Sequence, residues 1–318
     1  MNIRNLKDQP LDEIQVKKAG RQIKGFLIWL LKVVIIVGIS YIILGPLITI
    51  VANSFFTAND LYNPVVMLLP AEGTLQNYIT SFTRMTYPRT LATTFAYVIS
   101  LTLIQILAGY GFARYEFPFK KVLFGCVILT IVIPNDTLML PLYTQFRNFD
   151  IFGIIHLVTG HGINLLSTEV PMYIMTALGC GLRSGLYIYI FNQFFRGLPK
   201  EIEEAAVVDG AGSFYTYFRI MLVNAMPSVL TVSIFSLVWQ YNDTFYAKLF
   251  SINSKLLMSM RISTLRASIE FIDQIKDTAV SQLYLYAGIV LMVIPIVIIY
   301  ILLQKRFIEG ASRSGIVG

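Results

Sequence analysis

The sequence is poor in charge and in cysteine. Only 14% of its 318 residues are charged, whereas 56% are hydrophobic; a soluble domain carries roughly a quarter charged residues. So few charges cannot coat the two water-exposed domains that this length would allow, and the apolar excess excludes an intrinsically disordered chain. The only two cysteines, Cys126 and Cys180, lie inside apolar runs, which excludes a disulfide-stapled secreted scaffold. The composition therefore predicts an integral membrane protein.

Signatures of catalysis and of nucleotide or metal binding are missing as well. The two histidines, His156 and His161, do not have the H-E-x-x-H spacing of a zinc site, and the sequence contains neither G-x-S-x-G nor the P-loop pattern G-x-x-x-x-G-K-[ST]. We therefore expect no catalytic residue, no metal site and no cofactor in this chain. The net charge of +7 comes from Lys and Arg in short segments between apolar runs, so nucleic-acid binding is not expected either.

Six apolar runs are long enough to cross the membrane, whose hydrocarbon layer of roughly 30 Å takes about 20 helical residues. They predict an all-α integral membrane protein whose transmembrane domain (26–304) lies between an N-terminal segment (1–25) and a C-terminal tail (305–318). The six predicted helices cover residues 26–52, 91–113, 122–142, 171–195, 220–239 and 283–303. Pro134, Asp136 and Pro141 interrupt the third run, and the fourth contains Arg183. The sequence leaves open whether the half-apolar stretch 151–168 enters the membrane or lies at its surface.

The distribution of Lys and Arg predicts the orientation of these helices, because cytoplasmic loops carry an excess of both residues. The side that holds both termini has 15 Lys and Arg near helix ends, and the other side has 8. We therefore expect both termini to be cytoplasmic. The first apolar run is too long for a signal-peptide core and lacks a small-residue cleavage site, so it should remain in the protein as a helix.

The segment between the fourth and fifth predicted helices has the start and stop signals of a short helix. Pro199 suits the first turn. Three acidic residues follow, at the end where the helix dipole favours negative charge: Glu201, Glu203 and Glu204. Gly210 and Gly212 suit a left-handed exit, and Ser213 is expected to cap a second short helix. This segment is the predicted cytoplasmic loop between helices four and five.

One face of this short helix is suited to docking on another protein. By their three- and four-residue spacings, Ile202, Ala205, Ala206 and Asp209 are predicted to share that face. Small alanine side chains let a helix seat closely in a groove, and the acidic residues around them would meet donors on the groove wall. The alternative is a solvated loop without a partner, which has little reason to combine a proline start, an alanine pair and two glycines.

This segment resembles the EAA loop of binding-protein-dependent ABC importer permeases, with Glu204-Ala205-Ala206 followed by Gly210 and then by Ile220 and Leu222. The longer segment 194–211 is similar to the carbohydrate branch of that family, the MalG-like and LplC-like subunits. Three other segments also match: 108–118, 133–143 and 239–243. The resemblance covers most of residues 26–318. The sequence departs from the family pattern in three places. Val223 stands where a proline is usual, and the stretch 161–185 is longer than in the family. The C-terminal tail lacks the Lys that is usual next to its end.

The resemblance implies a permease subunit of a bacterial inner-membrane ABC importer that forms half of the pathway for an oligosaccharide. It implies a coupling helix that docks on an ATPase through Glu203, Glu204, Ala205, Ala206, Asp209 and Gly210. The implied partners are a second permease subunit in a heterodimer, a dimeric ATP-binding cassette ATPase that hydrolyses the ATP, an extracytoplasmic solute-binding protein and membrane lipid. The C-terminal tail is expected at the ATPase interface.

Six polar or aromatic residues near the predicted helix breaks are candidates for the substrate pathway: Asp136, Arg183, Trp239, Tyr241, Asn242 and Asp243. Aromatic faces beside carboxylate and amide groups are a usual way to hold a polyol. Each has a structural alternative, because Arg183 can pair with an acidic neighbour, Asp136 can face external water, and the aromatic residues can form an interfacial belt.

Two alternative functions stay open. Arg183 and the net charge leave room for an importer of another solute, such as glycerol phosphate or an anionic sugar. An ATP-independent secondary transporter is the alternative from a different class, and it predicts inverted repeats and ionisable residues in several helices. No such repeat is found in the sequence.

Overall fold

The computed structural model describes residues 11–250 and 257–314, with side chains for residues 22–250 and 257–304. Throughout these ranges the secondary structure is helical, apart from one isolated antiparallel bridge between Phe149 and Ile163. The α-helices in chain order are α1 (Leu11–Asn53), α2 (Ala58–Tyr62), α3 (Gln76–Arg84), α4 (Tyr87–Arg114), α5 (Lys120–Val132), α6 (Met139–Arg147), α7 (Ile154–Thr159), α8 (Val170–Ala177), α9 (Ser184–Gly197), α10 (Glu201–Val208), α11 (Ser213–Tyr215), α12 (Leu222–Asn224), α13 (Met226–Asn242), α14 (Phe245–Leu249), α15 (Met258–Ile272) and α16 (Thr278–Ser314). A 3-10 turn (Asn135–Leu138) precedes α6, and a π-helical turn (Thr216–Met221) joins α11 to α12.

The chain divides into two units, Met1–Gly73 and Thr74–Gly318. In the first unit, the segment Gln22–Asn53 of α1 is long and apolar enough to cross a membrane. Its large apolar side chains are exposed along the whole segment. Exposure of this kind is expected of a helix whose apolar surface is covered by lipid or by a partner helix.

The turn after α1 is organised by the carboxylate of Asp60. Thr57 and Asp60 form a capping box at the start of α2, in which Thr57 Oγ1 accepts the Asp60 N–H at 3.1 Å and Asp60 Oδ2 accepts the Thr57 N–H at 3.0 Å. Asp60 Oδ1 also accepts the N–H of Ala71 at 2.8 Å and of Glu72 at 3.2 Å. These backbone donors, Thr57 foremost, lower the pKa of Asp60 to about 2.

The second unit is built around α4, which runs parallel to α8 and α9. Gln105 of α4 donates to Ser184 Oγ at 3.0 Å, and further along both helices Gly109 lies against Phe191. A Cβ atom on Gly109 would stand 2.4 Å from the Phe191 Cβ. The missing side chain therefore permits the close backbone approach that is typical of packed membrane helices.

The other long helices pack on this pair through similar contacts. On the α5 side of α9, a Cβ on Gly185 would lie 2.6 Å from the Val127 carbonyl oxygen. At the contact of α15 with α16, a Cβ on Gly288 would lie 2.4 Å from Leu265 Cδ2. Helix α13 contacts both α4 and α16. The glycines thus set the spacing of the helices at the α4–α9, α5–α9 and α15–α16 contacts.

Three of the predicted spans are uninterrupted helices in the structure. The predicted segments 26–52, 91–113 and 283–303 lie within α1, α4 and α16, each of which extends beyond them. Helical structure therefore reaches into both predicted terminal segments, while residues 1–10 and 315–318 lie outside the described residues. The third predicted span is broken where Pro134 follows α5, and the chain turns by 110° into residues 135–147.

The prediction of an uninterrupted fourth helix over 171–195 is wrong. Helix α8 ends at Ala177 and α9 begins at Ser184, because Gly179 (φ 73°) and Arg183 (φ 56°) adopt left-handed conformations that a right-handed helix does not contain. The fifth predicted span is bent by 75° between Ser213–Asn224 and Met226–Asn242, beside the proline at 227. The described residues thus contain three continuous spans, or five if each bent pair is one span, so the count of six stays a prediction.

The stretch 151–168 forms a short helix and a closed turn. Helix α7 is followed by the bridge to Phe149, in which Ile163 and Phe149 exchange backbone hydrogen bonds of 2.9 and 3.0 Å. Leu157 and Val158 on α7 are exposed. The same is true of both histidines, and among the described residues no group of three His, Cys, Asp or Glu side chains is placed to hold a metal ion.

Candidate coupling helix and membrane cavity

Helix α10 is the short helix that the sequence predicts between the fourth and fifth spans. It begins at Glu201, two residues after Pro199, and ends at Val208. Gly210 has φ 79°, its N–H donates to the Val207 carbonyl at 3.0 Å, and the N–H of Ala211 donates to the Ala206 carbonyl at 2.9 Å. This pair of bonds is a Schellman motif, so the predicted left-handed exit at Gly210 is confirmed.

Two details of the predicted exit are wrong. Gly212 is extended (φ −72°, ψ 161°) rather than left-handed, because the one left-handed residue of a Schellman motif already turns the chain. Ser213 is the first residue of α11 and its side chain makes no capping hydrogen bond. The carbonyl oxygen of Gly212 instead accepts from Thr216 Oγ1 at 3.2 Å.

The predicted common face of α10 is divided in the structure. Ala206 is buried and Ile202 is half-buried, so this side of the helix faces the rest of the chain. Ala205 and Asp209 are exposed. Since consecutive helical residues are about 100° apart, the two alanines point to different sides. Only one of them is therefore available to a partner.

Glu203 ties α10 to the end of α4. Its Oε1 accepts a hydrogen bond from the Tyr110 hydroxyl at 2.8 Å, and its Oε2 lies 3.3 Å from Arg114 Nε in an ion pair. Arg114 also donates from Nη2 to the Leu198 carbonyl at 2.9 Å, just before α10 begins. Glu203 was predicted to contact an ATPase, whereas the structure places its carboxylate against two side chains of its own chain.

The outer face of α10 consists of five exposed residues: Glu204, Ala205, Val207, Val208 and Asp209. Val207 is 66% exposed and Val208 is 86% exposed. Exposed aliphatic side chains beside carboxylates are typical of a surface that another protein covers. Sequence reasoning missed these two valines, because their positions fit no repeating apolar pattern on a helix of eight residues.

A cavity of about 350 Å³ lies at the break between α8 and α9. Its walls come from the end of α5, the 3-10 turn, the first turn of α9 and Tyr246. Arg183 lines it, and its guanidinium carbon lies 4.2 Å from the centroid of the Trp239 ring, within cation–π distance. Asn135 also lines the cavity, and its Oδ1 accepts from the Tyr246 hydroxyl at 3.4 Å.

The structure therefore brings Arg183 and Trp239 together but separates them from the other predicted pathway residues. Asp136 is exposed on the 3-10 turn, and Asn242 donates to the Val238 carbonyl of its own helix at 2.8 Å. Neither is part of the cavity wall.

Tyr241 and Asp243 are buried. Tyr241 packs in an apolar cluster that includes Leu237, away from the cavity wall. Asp243 Oδ1 accepts the N–H groups of Phe245 at 3.0 Å and Tyr246 at 3.3 Å, which closes the turn before α14. Asn135 is a cavity residue that the sequence did not single out; the nearest signal was the helix break at the adjacent proline.

Residues 105–312 match the family model described as the inner membrane component of binding-protein-dependent transport systems. The chain belongs to this family. A probable ABC transporter permease from Pyrococcus horikoshii is 30% identical to this permease, over 86% of this chain and 92% of the relative. These findings confirm the resemblance on which the sequence interpretation rests: the chain is a multi-pass membrane permease and not an enzyme.

Other relatives of this permease are named for sugars. The diacetylchitobiose uptake system permease NgcG of Streptomyces coelicolor is 25% identical over 86% of this chain and 84% of its own length. The arabinooligosaccharide transport permease AraQ of Halalkalibacterium halodurans is 26% identical over 88% and 93%. The fold is similar to that of a chain in the crystal structure of a bacterial ABC transporter involved in the import of the acidic polysaccharide alginate. The TM-score is 0.66 at 19% sequence identity, and the match covers 89% of this chain and 98% of that chain.

Proposed function

We propose that this permease is one of two membrane-spanning subunits of an ABC importer for an oligosaccharide. It receives the sugar from an extracytoplasmic binding protein, and a dimeric ATPase supplies the energy. The proposal is supported by family membership and by relatives whose names specify diacetylchitobiose and arabinooligosaccharide transport. The observation that carries the mechanism is α10, whose inner side is fixed to its own chain while its outer face is free for a partner.

Because the inner side of α10 is fixed to α4, α10 can transmit the motion of a partner to the membrane helices. Glu203 joins α10 to Arg114 and Tyr110 on α4, and α4 is the helix around which the second unit packs. A partner that moves α10 therefore also moves α4, without an intervening flexible loop. Rigid-body motion of this kind is how closure of an ATPase dimer becomes alternating access in the membrane.

The outer face of α10 supplies the contact itself. Val208 and Val207 present apolar surface, Ala205 allows close approach, and Glu204 and Asp209 offer carboxylates to donors in a groove. Gly210 fixes where the helix ends, so the docked segment has a defined length. We place this face in the cytoplasm together with both termini, which is supported by the excess of Lys and Arg on that side.

A second permease subunit completes the pathway. Exposed aliphatic side chains run along α1, α4 and α16, and lipid or another helix must cover them. One chain with at most six spans has too few helices to enclose a sugar. By analogy with the family, we infer that this chain and a second permease subunit form a pseudo-symmetric heterodimer.

The test is ATP-driven uptake by the importer that co-purifies with this chain through an affinity tag. Ala205→Trp places a large ring on the outer face of α10 and should abolish coupled uptake, while hydrolysis by the ATPase becomes independent of the binding protein. Phe152→Trp is the matched control, since Phe152 is fully exposed on a different segment. Unchanged uptake in Ala205→Trp, or retention of uptake by a complex without any ATPase, would contradict the proposal.

A further inference from the structure

The Arg183 side chain is exposed on the surface of this subunit, at a level that lies within the length of the membrane-spanning helix α4. The neighbouring residue, Ser184, is hydrogen-bonded to Gln105 of α4. Gln105 precedes the Arg114 end of that membrane-spanning helix by nine residues, which is about 14 Å along the axis. A guanidinium at this depth is costly to leave unpaired, so such a residue normally has a partner or a function.

The side chains around Arg183 supply no counter-charge. Within the side chains that the structure describes, no carboxylate forms an ion pair with Arg183 and no acceptor binds its guanidinium. Asp243, the buried carboxylate of the neighbouring segment, accepts two backbone N–H groups at Oδ1, and its Oδ2 has no hydrogen-bond partner among the described residues. The guanidinium contacts the face of Trp239, which positions the cation without using its N–H donors.

Arg183 lines a cavity that other polar side chains also line. The amide of Asn135 and the hydroxyl of Tyr246 line the same space of about 350 Å³, which falls in the size range of small-ligand pockets. The backbone of Arg183 is left-handed (φ 56°), a conformation that an arginine rarely adopts and that places the side chain at the helix break. The guanidinium of Arg183 presents N–H donors in one plane, and its contact with the Trp239 ring holds it in place. This arrangement suits the oxygens of a carboxylate or a phosphate.

We propose that Arg183, positioned by Trp239, binds the anionic group of an acidic sugar in this cavity, so that the importer selects a negatively charged rather than a neutral carbohydrate. The inference deepens the proposed function and rests on it, since it names the class of sugar that the pathway accepts. The chemistry of the site is anion recognition, and both a uronic acid carboxylate and a sugar phosphate provide a suitable anionic group.

The experiment measures equilibrium binding to the purified importer in lipid nanodiscs, with the soluble binding protein removed. The probes are a galacturonate disaccharide, its neutral counterpart galactobiose, and glycerol 3-phosphate, so that carboxylate, neutral and phosphate ligands are compared. We expect the wild type to prefer at least one anionic probe over galactobiose by roughly ten- to hundred-fold, the effect of a charged hydrogen-bonded contact. Arg183→Gln should remove this preference, and Trp239→Leu should reduce it.

Two variants keep the result interpretable. Arg183→Lys retains the charge but loses the planar fork, and it should keep part of the preference. Arg147→Gln makes the same chemical change at an exposed arginine that does not line the cavity, and it should leave the preference unchanged.

Equal affinity of the wild type for charged and neutral probes would overturn the inference. It would also be overturned if Arg183→Gln weakened all three probes equally, or if this variant lost the second permease subunit, because Arg183 would then pair with a carboxylate of that partner. ATP hydrolysis by the same preparation reports the proposed function separately, so a working importer without anion preference refutes only this inference.

Discussion

Replacing Glu203 by Gln tests whether α10 is fixed to α4. The amide keeps an acceptor for the Tyr110 hydroxyl but removes the charge that faces Arg114. Breaking a buried ion pair by removing one partner costs about 3–5 kcal/mol, whereas an exposed pair contributes at most about 1 kcal/mol. The Arg114 side chain is 7% exposed and that of Glu203 is 20% exposed, with 3.3 Å between Nε and Oε2. We therefore expect an intermediate loss of about 2 kcal/mol.

The matched control is Glu204→Gln, which makes the same chemical change on the next residue. Glu204 is exposed on the outer face of α10, so its replacement should change stability by less than about 0.5 kcal/mol. Unfolding of the purified chain in mixed detergent micelles gives both values, and Arg114→Met alone and with Glu203→Gln completes a double-mutant cycle. Equal effects of Glu203→Gln and Glu204→Gln, or a coupling energy near zero, would refute the anchoring of α10 to α4.

Three further predictions concern backbone geometry and charge in other segments. Gly109→Ala should destabilise the helix pair by about 1–3 kcal/mol through overpacking, whereas Gly111→Ala, in open space two residues later, should not; thermal unfolding in detergent distinguishes them. Gly210→Ala should cost about 1 kcal/mol because of its left-handed backbone, while Gly212→Ala should be tolerated; proteolysis after α10 monitors both. The Asp60 pKa of about 2 lies below its ordinary value of 3.8, so the ionised carboxylate stabilises the turn that it holds. This stabilisation should be complete above pH 3.8 and should be lost as the pH falls through 2, which amide hydrogen exchange detects.

The continuous spans and the short helix between spans four and five could be predicted from the sequence, because both depend on local signals. Long uncharged runs specify α4 and α16 by length and hydropathy alone. The segment from Pro199 to Gly210 carries its own start and stop residues, so α10 and its left-handed exit followed from it. The family resemblance rested on the same segment, and the family match confirms it.

The break in the fourth span and the direction of each side chain on α10 could not be predicted in this way. The segment 171–195 is uncharged except for Arg183, and no local signal shows that an arginine adopts a left-handed backbone there. The role of Glu203 depends on Arg114 and Tyr110, which lie about 90 residues away in the chain. Hydropathy patterns contain no information on such contacts, because these contacts depend on which helices pack together.

Cysteine cross-linking at the outer face of α10 tests the central claim, the docking of α10 on an ATPase, most directly. In the importer carrying Val208→Cys, with Cys126 and Cys180 replaced by serine, a short bifunctional maleimide should join this chain to the co-purifying ATPase subunit, and Phe152→Cys should form no such product. ATP should change the yield of the Val208→Cys product, and a membrane-impermeant maleimide applied from outside intact cells should leave this cysteine unlabelled. Labelling from outside, or the absence of any cross-link to an ATPase while uptake continues, would contradict it.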